Sequence, residues 1–342
     1  MTSTERNIHL GLLGASLAVA VWVFGAQSRS TEPATHSPAL SPAADQRSPL
    51  SLIPPGSAFV LSADLTKFAR APLGALIAER LGRSSGASKL VKLCGFDPLT
   101  RLDQLALAVP SANLAAQERP EDFGIIASGR FSAAEITRCA TAAITARAGE
   151  PIQTKLGSFD SVRDRKASSG EIASKDGLVV VSGGSYFREL LDSAESERRT
   201  AGQRDPSDMR HAELRRALGP GALHATWLLG EGWFERATGG EINARLSPLS
   251  ALQTVAARVD LERTAQLLVL LDCADDEGAT RISSLLDELR SSLKALPLDA
   301  RLAALAARIT VNQTGARLRL VLELSEAELA PVLDALGQSQ AP

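Results

Sequence analysis

The same order of strands and helices appears twice along this sequence, and this repetition constrains the fold more than any other feature. In the first copy, the strand GSAFVLSAD precedes a helical segment, and DFGIIASGRF leads directly into a helix. In the second copy, the strand GALHATWLLG precedes the short helix EGWFERATG, and TAQLLVLLDC again leads directly into a helix. We therefore expect an α+β body of two similar modules, each a mostly antiparallel sheet with helices covering one face.

Local patterns support these elements. One predicted helix opens with the capping box Ser132 and Glu135, and the last helix opens with Ser325 and Glu328. ARLRLVLEL alternates apolar and polar residues, as a half-buried antiparallel strand does. Apolar residues that recur at steps of three and four positions predict one buried helix face. They are Ile282, Leu285, Leu286, Leu289, Leu293 and Leu296.

The predicted organisation has seven parts. They are a short cytoplasmic flank 1–7, an anchor or signal segment 8–26, a disordered Ser/Pro/Ala linker 27–50, a first module 51–195, a charged helical connector 196–220, a second module 221–337 and a tail 338–342. Because identity between the two copies is slight, one continuous sheet built from both halves remains an open alternative.

The segment 8–26 is long and apolar enough to cross a bilayer as a helix. Trp22, Val23 and Phe24 place bulky residues up to its end, which favours an uncleaved anchor. The alternative is a cleavable signal peptide, for which Ala26, Gln27 and Ser28 form the cleavage site, so that the mature chain begins near Arg29. We expect a single pass through a bacterial cytoplasmic membrane, with the body exported to the periplasm or cell envelope.

The composition is that of a folded, nearly neutral body. The sequence is 44% hydrophobic and 22% charged, with a formal net charge of −2. This balance is typical of globular domains, and it offers no electrostatic attraction to nucleic acid. We therefore expect no nucleic-acid partner, and the expected contacts are the membrane through 8–26 and an envelope protein partner.

Three cysteines must be placed in an oxidising compartment if the body is exported. Cys94 precedes the second strand and Cys139 lies on the helix after the third, so both belong to elements that pack together. A disulfide between them is the expectation, and two buried free thiols are the alternative. Cys273 ends a strand without an adjacent base, which favours a small core residue over a nucleophile.

Three parts of the sequence carry a resemblance to known proteins. They are the CGFDP segment 94–98, the strand and helix that lead to Cys139, and the closing strand with its capping box. In these parts the chain resembles uncharacterised exported or membrane-anchored proteins of Gram-negative bacteria. The resemblance covers about residues 52–337 in outline, and the shared motifs are structural. It implies a tandem α+β body behind a tether and no activity. It also implies the pairing of Cys94 with Cys139.

This sequence offers little evidence of a local catalytic motif. It contains no HExxH, no cysteine pairs at zinc spacing and no glycine-rich phosphate loop. Ser291 and Lys294 match S-x-x-K, but the companion Ser-Asp-Asn and Lys-Thr-Gly motifs are missing. Of the four histidines, His224 alone lies in a core-like strand, and His211 falls in the connector. We predict a protein that is not an enzyme and has no cofactor.

Two groups of residues are candidates for binding. Four acids at a strand-to-helix junction are weak candidates for a metal site, and their preference for a helix N-terminus is the simpler interpretation. They are Asp272, Asp275, Asp276 and Glu277. Three aromatic residues are weak candidates for a ligand pocket, with core packing as the alternative. They are Trp227, Trp233 and Phe234.

Three function classes follow from this sequence. The favoured class is a non-catalytic, membrane-anchored cell-envelope protein that presents two α+β modules for protein contact or as a structural element. The second is a binder of a small molecule, lipid or glycan between the modules. The third is an enzyme with a dispersed site that no local motif reveals.

Overall fold

A computed structural model describes residues 48–81, 91–96, 99–111, 122–167, 170–184, 186–195, 205–238, 245–295, 305 and 307–330. The predicted anchor, most of the predicted linker, the start of the connector and the end of the second module lie outside these residues. Among the residues described, no helix is both long and apolar enough to cross a bilayer.

The described residues of the first half form seven strands and four helices, besides the short helical segment 91–94. In chain order they are β1 (Ser57–Asp64), α1 (Leu65–Arg70), α2 (Pro72–Leu81), β2 (Leu102–Pro110), β3 (Gly124–Gly129), α3 (Ala133–Ala146), β4 (Pro151–Leu156), β5 (Phe159–Asp164), β6 (Glu171–Lys175), β7 (Leu178–Ser182) and α4 (Tyr186–Glu195).

The described residues of the second half form five strands and three helices, besides the helical segment 326–330. They are α5 (Pro206–Leu218), β8 (Leu223–Leu228), α6 (Trp233–Thr238), β9 (Leu252–Asp260), β10 (Ala265–Cys273), α7 (Asp276–Ala295), β11 (Thr310–Thr314) and β12 (Arg317–Leu324). Short 3-10 turns cover Pro49–Leu52, Leu99–Arg101 and Ser247–Ala251.

All described strands join one antiparallel sheet of 12 strands, in the order β11-β12-β10-β9-β8-β1-β2-β3-β7-β6-β5-β4. The predicted α+β class is confirmed. The two halves meet where β1 pairs with β8, with Leu61 opposite Ala225. The chain therefore builds one continuous sheet, which is the alternative that the sequence left open.

The repeated element order is visible in the strand order on either side of this seam. Outward from the centre, β1-β2-β3-β7-β6 in the first half corresponds to β8-β9-β10-β12-β11 in the second. In each half, the third strand leads into a helix and the following hairpin returns beside that strand. The first half carries an additional hairpin, β4-β5, which forms one edge of the sheet.

Helices cover both faces of the sheet, whereas the sequence analysis expected them on one face. Leu271 and Cys273 of β10 pack under α7 with Ile282, while Leu268 and Leu270 pack against α5. Adjacent residues of a strand point to opposite faces, so α7 and α5 lie on opposite sides. The physical reason is the consecutive apolar run LLVLL in β10, which must be buried on both faces.

We call the side that carries α1, α2, α3, α6 and α7 the first face, and the side that carries α4 and α5 the second face. On the first face, α3 packs on β5 and β6 through Ala140 and Ile144. The predicted stripe of α7 is buried at Ile282 and Leu285, but Leu289 is 37% exposed. Burial therefore does not extend to Leu289, and the side chains of Leu293 and Leu296 lie outside the described residues.

The predicted capping box at Ser132 forms in full, whereas the one at Ser325 forms in part, because the Glu328 amide donates to the Ser325 carbonyl. The Ser132 amide donates to Glu135 Oε2 at 2.9 Å, and the Glu135 amide donates to the Ser132 hydroxyl at 3.3 Å. The Ser325 amide donates to Glu328 Oε2 at 2.9 Å, at the start of the helical segment 326–330. Each box satisfies amide groups that a helix N-terminus leaves without partners inside the helix.

Candidate functional site

The aromatic candidates are held mainly by packing. Trp233 Nε1 donates to the carbonyl of Leu252 at 2.9 Å, and Phe234 is buried beside it with the rings edge to face at 5.6 Å. Trp227 on β8 packs edge to face on Phe59 of β1 at 6.4 Å, across the seam. Its buried Nε1 has no hydrogen-bond partner in the described part of the chain. Trp227 and Trp233 thus contact different neighbours.

The four acidic candidates point to separate partners. Asp272 lies on β10 and binds arginines, as described below, while Asp275 Oδ1 accepts from the amide of Gly278 at 2.6 Å at the start of α7. Glu277 forms an ion pair with Arg281 at 2.7 Å. Asp276 contributes a backbone carbonyl, which accepts from a threonine of α7. Within the described ranges, no group of three or more His, Cys, Asp or Glu side chains is placed to hold a metal ion.

Asp272 is the centre of a buried ion network on the second face. Arg317 binds both of its carboxylate oxygens, Arg210 Nη2 donates to Oδ2 at 2.8 Å and the Thr254 hydroxyl donates at 3.0 Å. Burial alone would raise the pKa of Asp272, but the hydrogen bonds and charges of these partners outweigh it and lower that pKa. The carboxylate is therefore fully engaged and joins β10, β12, β9 and α5.

The cysteine prediction is confirmed. Cys94 and Cys139 form a disulfide with a Cα–Cα distance of 4.2 Å, which ties the segment before β2 to α3. Cys273 is a buried free thiol, and burial, together with Asp272 and Asp275, raises its pKa. A thiol that resists ionisation is a poor nucleophile, in agreement with the interpretation of Cys273 as a core residue.

A polar chain that sequence reasoning missed lies at the seam between the halves. His211 of α5 is 2% exposed, and its Nε2 donates to the carbonyl of Ser57 at 2.8 Å while Nδ1 accepts from Thr226 at 2.7 Å. The Ser57 hydroxyl in turn accepts from Tyr186 of α4 at 3.0 Å. The sequence placed His211 in a charged connector, where no local signal indicates burial.

The neutral form of His211 is favoured. Burial lowers its pKa, the hydrogen bond to Ser57 acts in the opposite direction, and Arg215 lowers it further. His224 on β8 is half-buried, and burial lowers its pKa as well, although it donates to the carbonyl of Gly219 at 2.8 Å. Both histidines are satisfied by protein groups, so we interpret them as structural residues.

An open groove of about 740 Å³ lies between α3 and β4, at one edge of the sheet. Side chains of the helix form one wall and the edge hairpin forms the other. The lining residues are Ala134, Thr137, Arg138, Thr141, Ala142, Gln153, Thr154, Lys155, Asp160 and Ser161. No sequence pattern indicated this groove, because its walls come from elements with ordinary polar residues.

Two contacts fix the polar lining of this groove. Gln153 Nε2 donates to the Thr141 hydroxyl at 3.1 Å, and Lys155 Nζ donates to Asp160 Oδ1 at 2.9 Å. Arg138 is exposed and has no ion pair among the residues that the structure describes. The lining therefore carries two cations against one carboxylate, and that carboxylate is already paired.

The backbone of β4 is paired on one side, by β5. The Arg165 amide donates to the Glu150 carbonyl at 2.8 Å, which identifies these opposed residues as a hydrogen-bonded pair. Hydrogen-bonded and non-bonded pairs alternate along antiparallel strands. The backbone groups of Pro151, Gln153 and Lys155 therefore point away from the sheet.

The S-x-x-K match has an ordinary environment where the structure describes it. Ser291 lies on α7, and its hydroxyl donates to the carbonyl of Asp287 at 2.8 Å. This is the usual back-bond of a serine inside a helix. The side chain of Lys294 lies outside the described part.

Comparison with known proteins finds a weak structural resemblance. Crystal form III of TP0453 matches with 13% identity and a TM-score of 0.48, over 85% of this chain and 99% of that chain. Crystal form I of TP0453 matches with 14% identity and a TM-score of 0.43, over 85% and 98%. No protein-family model and no curated protein matches this sequence. These similarities are too low to support an inference about function.

Proposed function

We propose that this chain is a non-catalytic cell-envelope protein, held in the membrane by residues 8–26, whose body binds another protein at the β4 edge. The observation that carries the proposal is the combination of a strand with outward backbone groups and an open groove beside it. An unpaired edge strand is a template for pairing with another chain, and adding a strand to such an edge is a common mode of protein recognition.

The character of the groove favours protein contact over a small-molecule site. Small-molecule sites are concave and lined mainly by apolar and aromatic side chains. This groove is open along the sheet edge and is lined by hydroxyl, amide and charged groups, including Thr137, Thr141 and Gln153. Trp233 and Phe234, which supported the small-molecule alternative, are engaged in the core.

The edge at β11 is the natural comparison. β11 is also paired on one side, by β12. The side-chain amide of Gln313 in β11 already donates to the carbonyls of Asp276 and Gly315, at 3.2 Å each. In β4, side-chain bridges join Gln153 to Thr141 and Lys155 to Asp160. We assign the contact to the β4 edge because the open groove lies beside it.

The anchor limits where the partner can lie. The linker of about 23 residues gives the body an average reach of about 25–30 Å from the membrane surface, if it behaves as a flexible coil. Fractionation of cells that produce the full chain should leave it in the membrane. A soluble mature form that begins near Arg29 would contradict the anchor.

Site-specific photocrosslinking tests the contact. A photoreactive amino acid replaces Thr154, exposed on β4, in the full-length chain in its native membrane. The matched control carries the same amino acid at Ala237, exposed on α6, which lies between β8 and β9 in the chain. We expect one discrete adduct from position 154 and none of that mass from position 237. Equal adduct patterns from both positions, or no adduct from 154, would overturn the proposal.

A further inference from the structure

We propose, building on the function above, that the β4 edge binds an extended acidic segment of the partner, which pairs with β4 as an additional strand. The backbone supplies the pairing groups and the groove supplies the charge preference. Both features come from residues whose contacts are described above, and each can be perturbed separately.

The first step concerns the backbone. Gln153 and Lys155 each present an outward N–H and C=O, and Pro151 presents a carbonyl alone because proline has no amide hydrogen. An added strand can therefore form a short ladder of alternating hydrogen bonds along these three residues. Pro151 and Lys155 are also residue types that discourage indiscriminate edge pairing, so the edge favours a complementary partner.

The second step concerns charge. The side chains of Gln153 and Lys155 lie on the first face, toward α3, since they contact Thr141 of α3 and Asp160 of β5. In an added strand, alternate residues would point to this same face. They would meet Arg138, the cation without an ion pair in the described lining. Carboxylates at those alternate positions would complement the excess of positive charge.

The third step concerns the rigidity of the groove wall that α3 forms. α3 is fixed to the sheet by Ala140 and Ile144, which pack on Val162 of β5. The disulfide from Cys139 to Cys94 fixes the neighbouring turn of the same helix to the segment 91–96. The groove wall is thus preformed, and a preformed site loses less entropy when a segment binds.

A labelled peptide tests this inference by fluorescence anisotropy with the full-length chain in detergent. The probe is a nine-residue peptide in which glutamate alternates with valine and threonine. One control peptide carries lysine in place of every glutamate, and a second keeps the glutamates but is N-methylated at alternate backbone positions. We expect the glutamate peptide to bind at least tenfold more tightly than either control, since charge and backbone pairing both contribute.

Two protein variants locate the site. Arg138→Glu reverses the charge in the groove, and we expect the glutamate peptide to bind about tenfold more weakly. The matched control Arg163→Glu makes the same charge change at an exposed arginine of β5. Arg163 pairs opposite Ile152 and therefore lies on the second face, away from the groove. We expect Arg163→Glu to change binding less than twofold.

Four results would overturn the inference. They are equal binding of the glutamate and lysine peptides, binding that tolerates N-methylation, equal effects of the two charge reversals, and a dimer in light scattering that the glutamate peptide dissociates. The last result would make a second copy of this chain the occupant. If any of these occurs while position 154 still gives its discrete crosslink, the protein contact stands and the acidic strand is wrong.

Discussion

Replacing His211 by glutamine removes a titratable group from the seam between the two halves and should change how stability depends on pH. The imidazole bridges Ser57 of β1 and Thr226 of β8 from its position on α5, at 2% exposure. A glutamine amide can retain part of this bridge but cannot take up a proton. At pH 7.5 we expect the variant to lose about 1–3 kcal/mol of unfolding free energy, the usual cost of impairing buried hydrogen bonds.

The sign of the pH effect follows from the lowered pKa of His211. Its ordinary value is 6.5, and burial holds the pKa in the folded protein below that. Below pH 6.5 the unfolded chain takes up a proton that the folded chain refuses, so stability falls as the pH falls toward the folded pKa. Between pH 7.5 and 5.5 this linkage lowers the unfolding free energy of the natural chain by up to about 1.4 kcal/mol.

Urea unfolding of the full-length chain in mild detergent, followed by tryptophan fluorescence at pH 7.5 and 5.5, measures this difference. The His211→Gln variant should lose less stability over that interval than the natural chain, by about 1 kcal/mol. His224→Gln is the control. Because His224 is more exposed than His211, its replacement should change the pH dependence of stability less than His211→Gln does. An equal loss in the natural chain and in His211→Gln would refute the assignment of the pH dependence to His211.

Two further predictions concern stability. Arg317→Met should lower the unfolding free energy by about 1–3 kcal/mol, because Asp272 keeps Arg210 but loses its two-point partner. Adding Asp272→Asn should recover part of that loss in urea unfolding, whereas full additivity of the two changes would contradict the coupling. Replacing Cys94 and Cys139 by serine should cost about 3–4 kcal/mol in the chain-entropy description of a closed loop. Non-reducing mass spectrometry of the natural chain should detect the linked peptide, and complete alkylation of both thiols would contradict the disulfide.

Much of the fold was accessible from local sequence patterns. Alternating and continuous apolar runs located the strands, and the capping boxes at Ser132 and Ser325 located two helix starts. These signals are local, because hydrogen bonds at a helix start join residues three apart. The predicted elements also favoured the disulfide, since they placed Cys94 and Cys139 near elements that pack together.

The sequence did not reveal how the two halves join. Pairing of β1 with β8 depends on contacts between residues more than 150 positions apart, such as the hydrogen bond from His211 to Ser57. Because the polar character of the segment around His211 resembles that of an exposed helix, its burial could not be inferred from pattern. The same reason explains why helices on the second face were not expected.

By itself, the sequence determined the α+β class, the repeated order of elements and the helix starts. These properties follow from short-range hydrogen bonding and from the periodicity of apolar residues. Only the tertiary structure decided that the sheet is continuous, that Asp272 is enclosed by arginines and that α3 and β4 form a groove with Arg138 in its wall. Those properties depend on which distant surfaces meet, and no local pattern encodes that.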